Sequence, residues 1–444
     1  MFEMDELSRI RRPNRAVTLI FAITFAWISG LLSVGCLSGP IGSEASRALL
    51  RVGTSGDYRP FSHAGAAPED GVRGFSIDLG KAYAEATGRE IVWVPFGWPS
   101  LAEDLAAGRF DFALSGVTIR ADRSIAGRFS LPVTVSGAMV LVPEDSGLRE
   151  AEALAKPGRA FAVNAGGHLE RTARALFPEA RIVPVPDNGS VLDRLADPGI
   201  DAVVTDSLEA PHWLTRRPGL RAVGPLTRDR KAAWFPIGAD AERARFDAWL
   251  LEAERNGTLA RLRSAHGLPT DRTAEPAAAL LALLDERLSL MIEVARVKQL
   301  TGRAIEDRPR EAKVLAGAVS AVVRAATERA VPPPDEADVR AFYRAQIEAA
   351  KSIQRAWTDA HPAEAAAPED PAWRAARARL SDDLRPALLD LGDRIASLLV
   401  LATTSGERPP SRERVEASLS RHALPTSDLE ALHAGLERLL GGDR

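Results

Sequence analysis

The stretch FDFALSGVTIRADR, from Phe110 to Arg123, decides the fold of the first half of the chain. Its short apolar beginning predicts a β-strand from Phe110 to Ser115. Similar apolar runs alternate with amphipathic helical stretches from Leu49 to about Leu268, which predicts βα units around a largely parallel sheet. The further predicted strands are 50–54, 91–95, 138–142, 159–164, 181–185 and 202–205, and the predicted helices include 77–87, 98–107, 169–176 and 190–196.

The composition of the sequence changes around Thr273 to Pro276, where strand-like runs are followed by long segments rich in Ala, Leu, Arg and Glu. A chain of 444 residues is expected to divide into two or three domains. We therefore predict a multidomain protein with an α/β domain over residues 49–268 and an all-helical domain over residues 276–444. Two proline-rich stretches, at 332–334 and 362–371, are predicted connectors.

The composition excludes several classes of function. The net charge is only −3, so nothing supports the electrostatic attraction that nucleic-acid binding needs. One cysteine and seven histidines without ligand spacing imply no metal or redox cofactor. Phosphate-binding and dinucleotide-binding fingerprints are also absent from the sequence. Lysine is rare, so a lysine such as Lys231 in a predicted pocket is a candidate ligand contact.

The first 36 residues predict export. Arg11, Arg12 and Arg15 precede an apolar stretch from Ala16 to Gly35, which is typical of a signal peptide or a membrane anchor. Cys36 follows a sequence similar to a lipoprotein cleavage site, with Ser33 an imperfect residue. Lipidation, ordinary cleavage and an uncleaved anchor all stay open. Each of them places the rest of the chain outside the cytoplasm, and two of them tether it to a membrane through its N-terminus.

Four segments of the α/β domain carry a resemblance to a known family: TSGDYRPFS from Thr54, GFSIDLGKAYAEATG from Gly74, FDFALSGVTIRADR from Phe110 and VTDSLEA from Val204. Together they resemble the bacterial extracellular solute-binding proteins, which capture amino acids between two α/β lobes. The resemblance implies that Arg123 pairs with a ligand carboxylate, which suits the planar, two-pronged guanidinium. It also implies a two-lobed, periplasmic-binding-protein fold.

Within that family, the segments from Gly97, Val163 and Pro186 and the lysine Lys231 look like the periplasmic cyclohexadienyl dehydratases. This resemblance implies that the substrate is prephenate or its amino analogue arogenate. Loss of the ring hydroxyl then needs an acid with a raised pKa, and Glu209 is assigned that role. The residues expected to bind the substrate are Tyr58, Trp98, Ser115, Thr118, Arg123, Asn164, Gly166, Gly167, Asp206 and Lys231.

Each assignment has a structural alternative. Asp206 and Glu209 could simply cap the helix that follows a strand. Gly166 and Gly167 could form a turn, although with Asn164 they could also present backbone amides to an anionic group. His168 departs from the threonine expected there, which leaves the carboxylate contacts open.

The helical domain begins with LLALLDERLSLMIEVARVKQLTGRAIEDRPRE, from Leu280 to Glu311. Apolar residues recur at helical spacing, which predicts one long amphipathic helix. Arg287 and Lys298 lie about three turns apart on it and can face the same groove. Arg310 and Glu311 open the next helix after a turn that contains Asp307. Three cationic groups so arranged can surround a small dicarboxylate.

This pattern resembles the all-helical chorismate mutases. Arg287, Lys298 and Arg310 match cationic site positions of that family, and Asp307 and Glu311 match the polar positions beside them. The later segment from Ala341 to Trp357 resembles the helix that completes the pocket, where Gln354 would join Lys298 at the ether oxygen of chorismate. Ala350 replaces the small hydroxyl residue usual one turn earlier. Exported members supply a further arginine from added helices, and Arg385 is the candidate here.

The sequence therefore predicts a bifunctional exported enzyme that turns chorismate into prephenate and prephenate into phenylpyruvate, or arogenate into phenylalanine. An amino-acid receptor fused to a helical domain is the alternative, and a degenerate module with only a structural role is a third. For any single arginine of the helical domain, a surface ion pair would be the simpler interpretation. The preference for prephenate or arogenate, inhibition by phenylalanine, direct transfer of intermediate and the oligomeric state stay open.

Overall fold

The structure is a computed structural model that describes residues 48–65 and 71–441. The predicted export segment and Cys36 lie outside the described residues. The first half of the described chain alternates strands and helices. Its elements are β1 (Leu49–Thr54), β2 (Asp57–Tyr58), β3 (Ser62–Ala64), β4 (Val72–Arg73), α1 (Phe75–Ala86), β5 (Glu90–Pro95), α2 (Leu101–Ala106), β6 (Phe112–Thr118), α3 (Ala121–Ala126), β7 (Arg128–Phe129), β8 (Thr134–Ser136), β9 (Ala138–Pro143), α4 (Ala151–Leu154), β10 (Ala160–Asn164), α5 (His168–Leu176), β11 (Arg181–Val185), β12 (Ala202–Asp206), α6 (Ala210–Arg216), β13 (Leu220–Val223), β14 (Asp229–Phe235), α7 (Asp240–Arg255) and α8 (Thr258–Ala265).

Two larger sheets divide this half into two lobes. Lobe 1, residues 49–136 and 229–268, holds the strand order β5-β1-β6-β14-β7, with β8 beside β14. Lobe 2, residues 138–223, holds the order β11-β10-β12-β9-β13. Strands β5, β1 and β6 are parallel, as are β11, β10 and β12. The chain crosses into lobe 2 after β8 and returns with β14, which gives the predicted two-lobed α/β architecture.

Two details differ from the sequence-based expectation. The sheets are mixed, because β14 runs antiparallel to β6 and β9 runs antiparallel to β12 and β13. The predicted helix from Ser190 to Ala196 is instead two 3₁₀ turns, Asn188–Ser190 and Leu192–Ala196. Asp187 accepts hydrogen bonds from the Gly189 amide and the Ser190 hydroxyl, which favours the tighter turn over an α-helix.

The second half of the described chain is helical. Its elements are α9 (Pro276–Ser289), α10 (Met291–Leu300), α11 (Arg308–Glu328), α12 (Glu336–Ala360), α13 (Pro371–Ala378), a π-helical turn (Arg379–Leu384), α14 (Arg385–Thr404), α15 (Arg412–Leu419), a 3₁₀ turn (Ser420–His422) and α16 (Thr426–Leu440). Helix α12 packs against α10, α11 and α16, while α14 packs against α9 and α11. Asp307 caps α11 and Asp335 caps α12, each by accepting backbone amide hydrogen bonds.

The predicted single long helix is broken at Leu290, between α9 and α10. The Ser289 hydroxyl donates a hydrogen bond of 2.6 Å to the Glu286 carbonyl. The Leu290 amide turns back to Arg287, only three residues earlier, at 3.3 Å. This local tightening ends α9, but Leu290 keeps right-handed helical dihedrals, so α10 follows at once.

The apolar core of lobe 1 continues into the helical half. One cluster joins buried residues such as Val52 and Phe112 of lobe 1 to Leu283 and Leu399 of the helices, whereas lobe 2 has clusters of its own. Helix α9, rich in Ala and Leu, is buried on nearly every side, as expected of a helix that is apolar all round. The helical half is therefore packed directly onto lobe 1.

Candidate active sites

The first candidate site lies between the two lobes, at the ends of several strands. Lobe 1 supplies Tyr58 at the end of β2, Thr118 at the end of β6 and Lys231 on β14, and lobe 2 supplies Glu209 before α6. The cavity that they line has a volume of about 40 Å³, which is room for a few water molecules. A ten-carbon substrate therefore requires the lobes to separate. The remaining lining residues are Trp98, Gly116, Arg123, Asn164, Gly167, His168, Leu169 and Asn188.

A buried network joins the lobes across this cavity. The Lys231 ammonium lies 3.1 Å from the Asp206 carboxylate of lobe 2 and donates to the Thr118 hydroxyl at 2.9 Å. The Tyr58 hydroxyl donates to the same Asp206 oxygen. Burial, followed by the charges of Asp206 and Glu209, raises the pKa of Tyr58 well above its usual value, so the phenol stays protonated. The buried cation is thus neutralised by a carboxylate from the opposite lobe.

Glu209 has the environment of a protonated carboxylic acid. Its side chain is 3% exposed and accepts hydrogen bonds of 2.8 Å from Thr205 and from Asn188. Burial raises its pKa well above the usual value, and the nearby Asp206 charge raises it further. Asp206 also accepts from the amides of Leu208 and Glu209, at 2.9 and 3.0 Å. Asp206 therefore caps this turn and contacts Tyr58 and Lys231 from behind, without lining the cavity itself, whereas the Glu209 side chain makes no cap.

Arg123 is a buried cation without an acidic partner among the described residues. It is 4% exposed and donates only to the Thr118 carbonyl, at 3.3 Å. Its guanidinium lies 5.8 Å from the ring centre of Trp234. Burial, with the neighbouring charge of Arg120, lowers the pKa of Arg123 to about 9. An anionic ligand in the cavity would compensate this charge.

The loop at the end of β10 supplies some, but not all, of the predicted cavity contacts. Asn164 reaches the cavity, and its amide nitrogen is buried without a partner. The Gly166 amide donates to the Glu170 side chain at 2.8 Å, so it is not free to receive an anion. His168 lines the cavity, with Nε2 3.0 Å from Asp229. Burial lowers the pKa of His168, which favours the neutral ring.

The other predicted contact residues either form the wall of the cavity or lie behind it. The Tyr58 and Trp98 rings lie 5.8 Å apart, edge to face, and Trp98 donates to Asp57 at 3.1 Å. Ser115 is fully buried and bonds to Ser55 at 2.9 Å, but it does not line the cavity. Sequence reasoning missed Asn188, which bridges Glu209 and the Asp57 carbonyl. The DNG turn that carries it was the available signal.

The second candidate site lies among α9, α10, α11 and α12 and is marked by cations without acidic partners. Among the described residues, Arg287, Lys298, Arg310 and Arg385 have no carboxylate within ion-pair distance. Burial lowers the pKa of both Arg287 and Lys298, and the nearby charge of Arg310 lowers that of Lys298 further. Lys298 donates to the Ile305 carbonyl at 3.1 Å. This concentration of uncompensated positive charge suits a small dianion.

Helix α12 adds uncharged polar atoms that also lack partners. The Gln354 side chain donates to the Ala350 carbonyl at 3.0 Å, while its amide oxygen is buried without a partner. The Tyr343 hydroxyl and both polar atoms of the Gln346 amide are likewise buried and unpartnered. Native proteins rarely leave such atoms unsatisfied outside functional sites. Tyr343 and Gln346 were missed because each reads as an ordinary core position on an amphipathic helix.

The turn before α11 is built by Asp307 and Glu311. Asp307 accepts from the Arg310 amide at 3.0 Å, and Glu311 accepts from the Asp307 amide at 3.2 Å. These reciprocal bonds fix the start of the helix that carries Arg310. Glu311 also lies 3.5 Å from Lys351, which is paired with Glu348 at 2.7 Å. Asp307 and Glu311 thus hold the backbone beside the cationic residues.

Arg385 begins α14, the helix that packs against both α9 and α11. Its Nε is buried without a partner. Glu407, beyond the end of α14, accepts from the Ala277 amide near the start of α9, at 2.9 Å. The two helices therefore run antiparallel, which places the start of α14 toward α10. Arg385 thus carries one buried, unpartnered polar atom at the start of α14, and its role in the site stays a prediction.

Two family matches cover most of the described chain. Residues 50–268 match the bacterial extracellular solute-binding proteins, family 3, and residues 273–355 match chorismate mutase type II. The chain belongs to the family 3 solute-binding proteins, and it carries a chorismate mutase type II domain after that region. Membership of an extracellular family agrees with the export that the sequence predicts.

Individual relatives refine this placement. The first half is 37% identical over 225 residues to a cyclohexadienyl dehydratase from Pseudomonas aeruginosa. The aligned region covers 50% of this chain and 82% of that protein. It is 28% identical over 235 residues to the arginine-binding extracellular protein ArtP of Bacillus subtilis, covering 51% and 89%. A solved structure of an ancestral amino-acid-binding protein, titled a precursor of cyclohexadienyl dehydratase, is 30% identical with a TM-score of 0.46, covering 49% of this chain and 95% of that one.

The described residues offer neither a membrane-spanning helix nor a metal site. None of the helices between residues 48 and 441 is long and apolar enough to span a bilayer. No group of three or more His, Cys, Asp or Glu side chains in the same part of the chain could hold a metal ion.

Proposed function

We propose that this protein is a bifunctional exported enzyme of phenylalanine biosynthesis. The helical half converts chorismate into prephenate, and the cleft between the lobes converts prephenate into phenylpyruvate, or arogenate into phenylalanine. One observation carries the proposal: a single chain holds a cluster of uncompensated cations among helices and a buried, protonated carboxyl group in a lobe cleft. The product of the first site is the substrate of the second. The family matches and the Pseudomonas relative support both activities.

The mutase reaction is an intramolecular rearrangement, so it needs neither a nucleophile nor a proton donor. Arg287 and Arg310 hold the two carboxylates of chorismate in its compact reactive shape, and Arg385 adds a third positive charge. Lys298 and Gln354 face the ether oxygen as negative charge develops there. Gln354 serves this role through its amide NH₂, which rotates from the Ala350 carbonyl toward the substrate.

The dehydratase reaction needs a proton at one end of the substrate and charge compensation at the other. Glu209 gives its proton to the ring hydroxyl, which leaves as water while the C–O bond breaks. The bond between the ring and its carboxylate then breaks, and its electron pair aromatises the ring as CO₂ departs. Glu209 is reprotonated from solvent. Arg123 and Lys231 hold the substrate carboxylates, and Tyr58 and Trp98 wall off the ring.

An amino-acid receptor remains the second candidate for the first half. Arg123 supports it, since a buried arginine without an acidic partner would hold the carboxylate of an amino acid equally well. ArtP illustrates that relatives of this half include receptors. A receptor would bind an amino acid and release it unchanged, whereas the dehydratase consumes its ligand.

The decisive experiment gives chorismate to the purified chain and follows prephenate and phenylpyruvate with time. The wild type should form both in sequence. Lys298→Met should stop prephenate formation yet still convert added prephenate, while Lys313→Met, which changes an exposed lysine of α11, should behave as wild type. Glu209→Gln should let prephenate accumulate, while the exposed lobe 2 control Glu152→Gln should not. Binding of amino acids without any turnover of prephenate would favour the receptor.

The N-terminal segment defines how the exported protein is held. We include in the proposal a tether at this end, through a lipid on Cys36 or through an uncleaved apolar segment, with simple cleavage as the third outcome. Mass spectrometry of the protein recovered from membrane and soluble fractions distinguishes the three. A Cys36→Ala variant that partitions as wild type does would exclude the lipid. Sedimentation analysis of the same samples gives the oligomeric state.

A further inference from the structure

Three consecutive charged residues on α9, Asp285, Glu286 and Arg287, point toward three different parts of the molecule. Asp285 and Glu286 are each 2% exposed, and Arg287 is half-buried, because α9 packs between lobe 1 and the other helices. Successive helical residues point about 100° apart, so one turn can reach several neighbours. Arg287 belongs to the proposed mutase site. The other two contact lobe 1, next to the proposed dehydratase site.

Asp285 holds the strand that carries Lys231. Its carboxylate accepts from the Arg230 guanidinium, while its other oxygen accepts from Arg421 at 2.7 Å and lies 2.8 Å from His422. Arg230 and Lys231 are neighbours on β14, so their side chains leave opposite faces of the sheet. Arg230 therefore reaches back to the helical half, and Lys231 reaches forward into the cleft.

Glu286 holds the short helix that carries Arg123. It accepts a hydrogen bond of 2.7 Å from the Ser124 hydroxyl on α3. Its second oxygen is buried without a partner. Burial raises the pKa of Glu286, so a neutral carboxyl group can occupy this position. Ser124 follows Arg123 directly, and α3 has only two turns with which to fix the direction of that arginine.

We infer that Asp285 and Glu286 are positioning residues for the dehydratase reaction, acting through Arg230 and Ser124 on Lys231 and Arg123. The inference rests on the proposed function of the cleft. Under it, a helix of the mutase half is part of the support of the dehydratase site. The two substrate-binding cations would then lose their alignment when these two contacts are removed, even though neither Asp285 nor Glu286 touches the substrate.

A second ion-pair group at the same interface provides the matched control. Asp390 on α14 pairs with Arg243 on α7 at 2.7 Å, and Arg394 pairs with Asp247 at 3.1 Å. These pairs also join the helices to lobe 1, but α7 carries none of the proposed site residues. Asp390 approaches α3 only through Arg128, whose Nε lies 3.9 Å away. Removing Asp390 tests the general effect of weakening the interface. Removing Asp285 or Glu286 tests alignment of the site.

The first test compares Glu286→Met with Glu286→Gln in the full chain. Methionine matches the volume but cannot accept from Ser124, whereas glutamine keeps an acceptor oxygen. We expect Glu286→Met to raise the KM for prephenate about tenfold with a smaller change in kcat, and glutamine to restore the wild-type KM. Asp390→Asn should leave this KM unchanged. The melting temperature of every variant, measured in parallel, separates alignment from loss of stability.

The second test is a double-mutant cycle on β14. If Asp285 acts through Lys231, Asp285→Asn should raise the KM about tenfold in the wild type and have no further effect in a Lys231→Gln background. Titrating prephenate into Glu209→Gln forms of the same variants gives dissociation constants, so positioning is measured independently of turnover. A purely structural Asp285 would weaken both backgrounds equally.

The outcomes separate the inference from the proposed function. A wild-type chain that makes no phenylpyruvate contradicts the proposed function. Wild-type turnover combined with a KM and dissociation constant for Glu286→Met and Asp285→Asn equal to those of Asp390→Asn contradicts the inference alone. Additive effects of Asp285→Asn and Lys231→Gln would also overturn it.

Discussion

The two sites of this chain differ in how their positive charges are compensated. In the lobe cleft, Lys231 is compensated by Asp206 from the opposite lobe at 3.1 Å. Among the helices, Arg287, Lys298 and Arg310 have no acidic partner among the described residues. The first arrangement pairs only one of its two cations, because Arg123 has no acidic partner among the described residues, and it depends on how the lobes meet. The second lies within one bundle and is satisfied only by an anion.

The two arrangements imply different requirements for substrate binding. A substrate entering the cleft must replace contacts between the lobes, so its binding is coupled to their opening and closing. A substrate entering the helical site meets charges already in place, which costs little reorganisation when negative charge develops. The stability that the helical site gives up by keeping cations unpaired is the expected cost of a preorganised anion site.

The largest expected effect comes from removing a cation of the helical site. Arg287→Leu should lower kcat/KM for chorismate by about 100- to 1000-fold, because one preorganised charge is lost. The free energy of unfolding should stay equal or rise, because an unpaired buried charge is removed. Activity assays and urea unfolding check both expectations.

A paired buried arginine provides the control for that prediction. Arg263 lies 2.8 and 2.9 Å from the two oxygens of Glu254 and is fully buried. Arg263→Leu leaves a buried carboxylate alone and should cost about 3–5 kcal/mol of stability. Equal losses of stability in both variants would show that the two arginines do not differ in this respect.

A glycine at the contact between the lobes should have the next largest effect. Gly166 has φ +70°, and a Cβ there would lie 3.0 Å from Pro99 of the opposite lobe. Gly166→Ala should raise the KM for prephenate about tenfold and leave the KM for chorismate unchanged, because only the cleft must close. Gly158→Ala, with φ +82° and no atom within 4 Å, separates backbone strain from the contact. An equal KM in both variants would mean that closure at Pro99 is unimportant.

The pH dependence should differ between the two reactions. Glu209 must be protonated to act, and burial raises its pKa, so the kcat for prephenate should be constant at low pH and fall as pH rises through that value. Asp206→Asn removes the charge that raises the pKa further, which should move this fall to lower pH. The chorismate reaction has no such acid and should not show this shift. Initial rates measured across pH test both expectations. If kcat falls at the same pH in Asp206→Asn as in the wild type, this fall does not report the titration of Glu209 beside Asp206.

Salt should produce the smallest effect. Between about 0.1 M and about 1 M ionic strength the Debye length falls from about 10 Å to about 3 Å. The KM for chorismate should rise about two- to threefold, because its cations are unpaired and attract the dianion over a distance. The KM for prephenate should change less, since Lys231 is already paired and only Arg123 is left without an acidic partner among the described residues of the cleft. A larger salt effect on prephenate would reverse the comparison.

The sequence predicted the two-part architecture because each half has a strong local signal. Alternating apolar strands and helices gave the α/β half, and helical spacing gave the rest. Local sequence pattern does not predict strand pairing between distant segments. Strand β14, which carries Lys231, joins the lobe 1 sheet only after the chain has passed through the whole of lobe 2. The break at Leu290 depends on one serine hydroxyl. These features follow from hydrogen bonds that no periodicity reveals.

The candidate site residues show the same division. The positions of Arg287 and Lys298 on one helical face follow from spacing, and the assignment of Glu209 followed from resemblance. The lack of acidic partners for the cations, the burial of Glu209, and the contacts of Asn188 and Ser115 depend on the packing of distant segments. The roles of these residues stay predictions until the variants are measured.

The residue types on each helix or strand follow from the sequence, because periodicity and local chemistry act over a few residues. Which charges are compensated follows from the packing of the folded chain, because compensation depends on side chains brought together across the lobes and the bundle. The same packing brings Asp285 and Glu286, which belong to a helix of the mutase half, into contact with Arg230 and Ser124 of lobe 1. Burial in a low-dielectric interior gives those long-range neighbours their effect on charge and proton affinity.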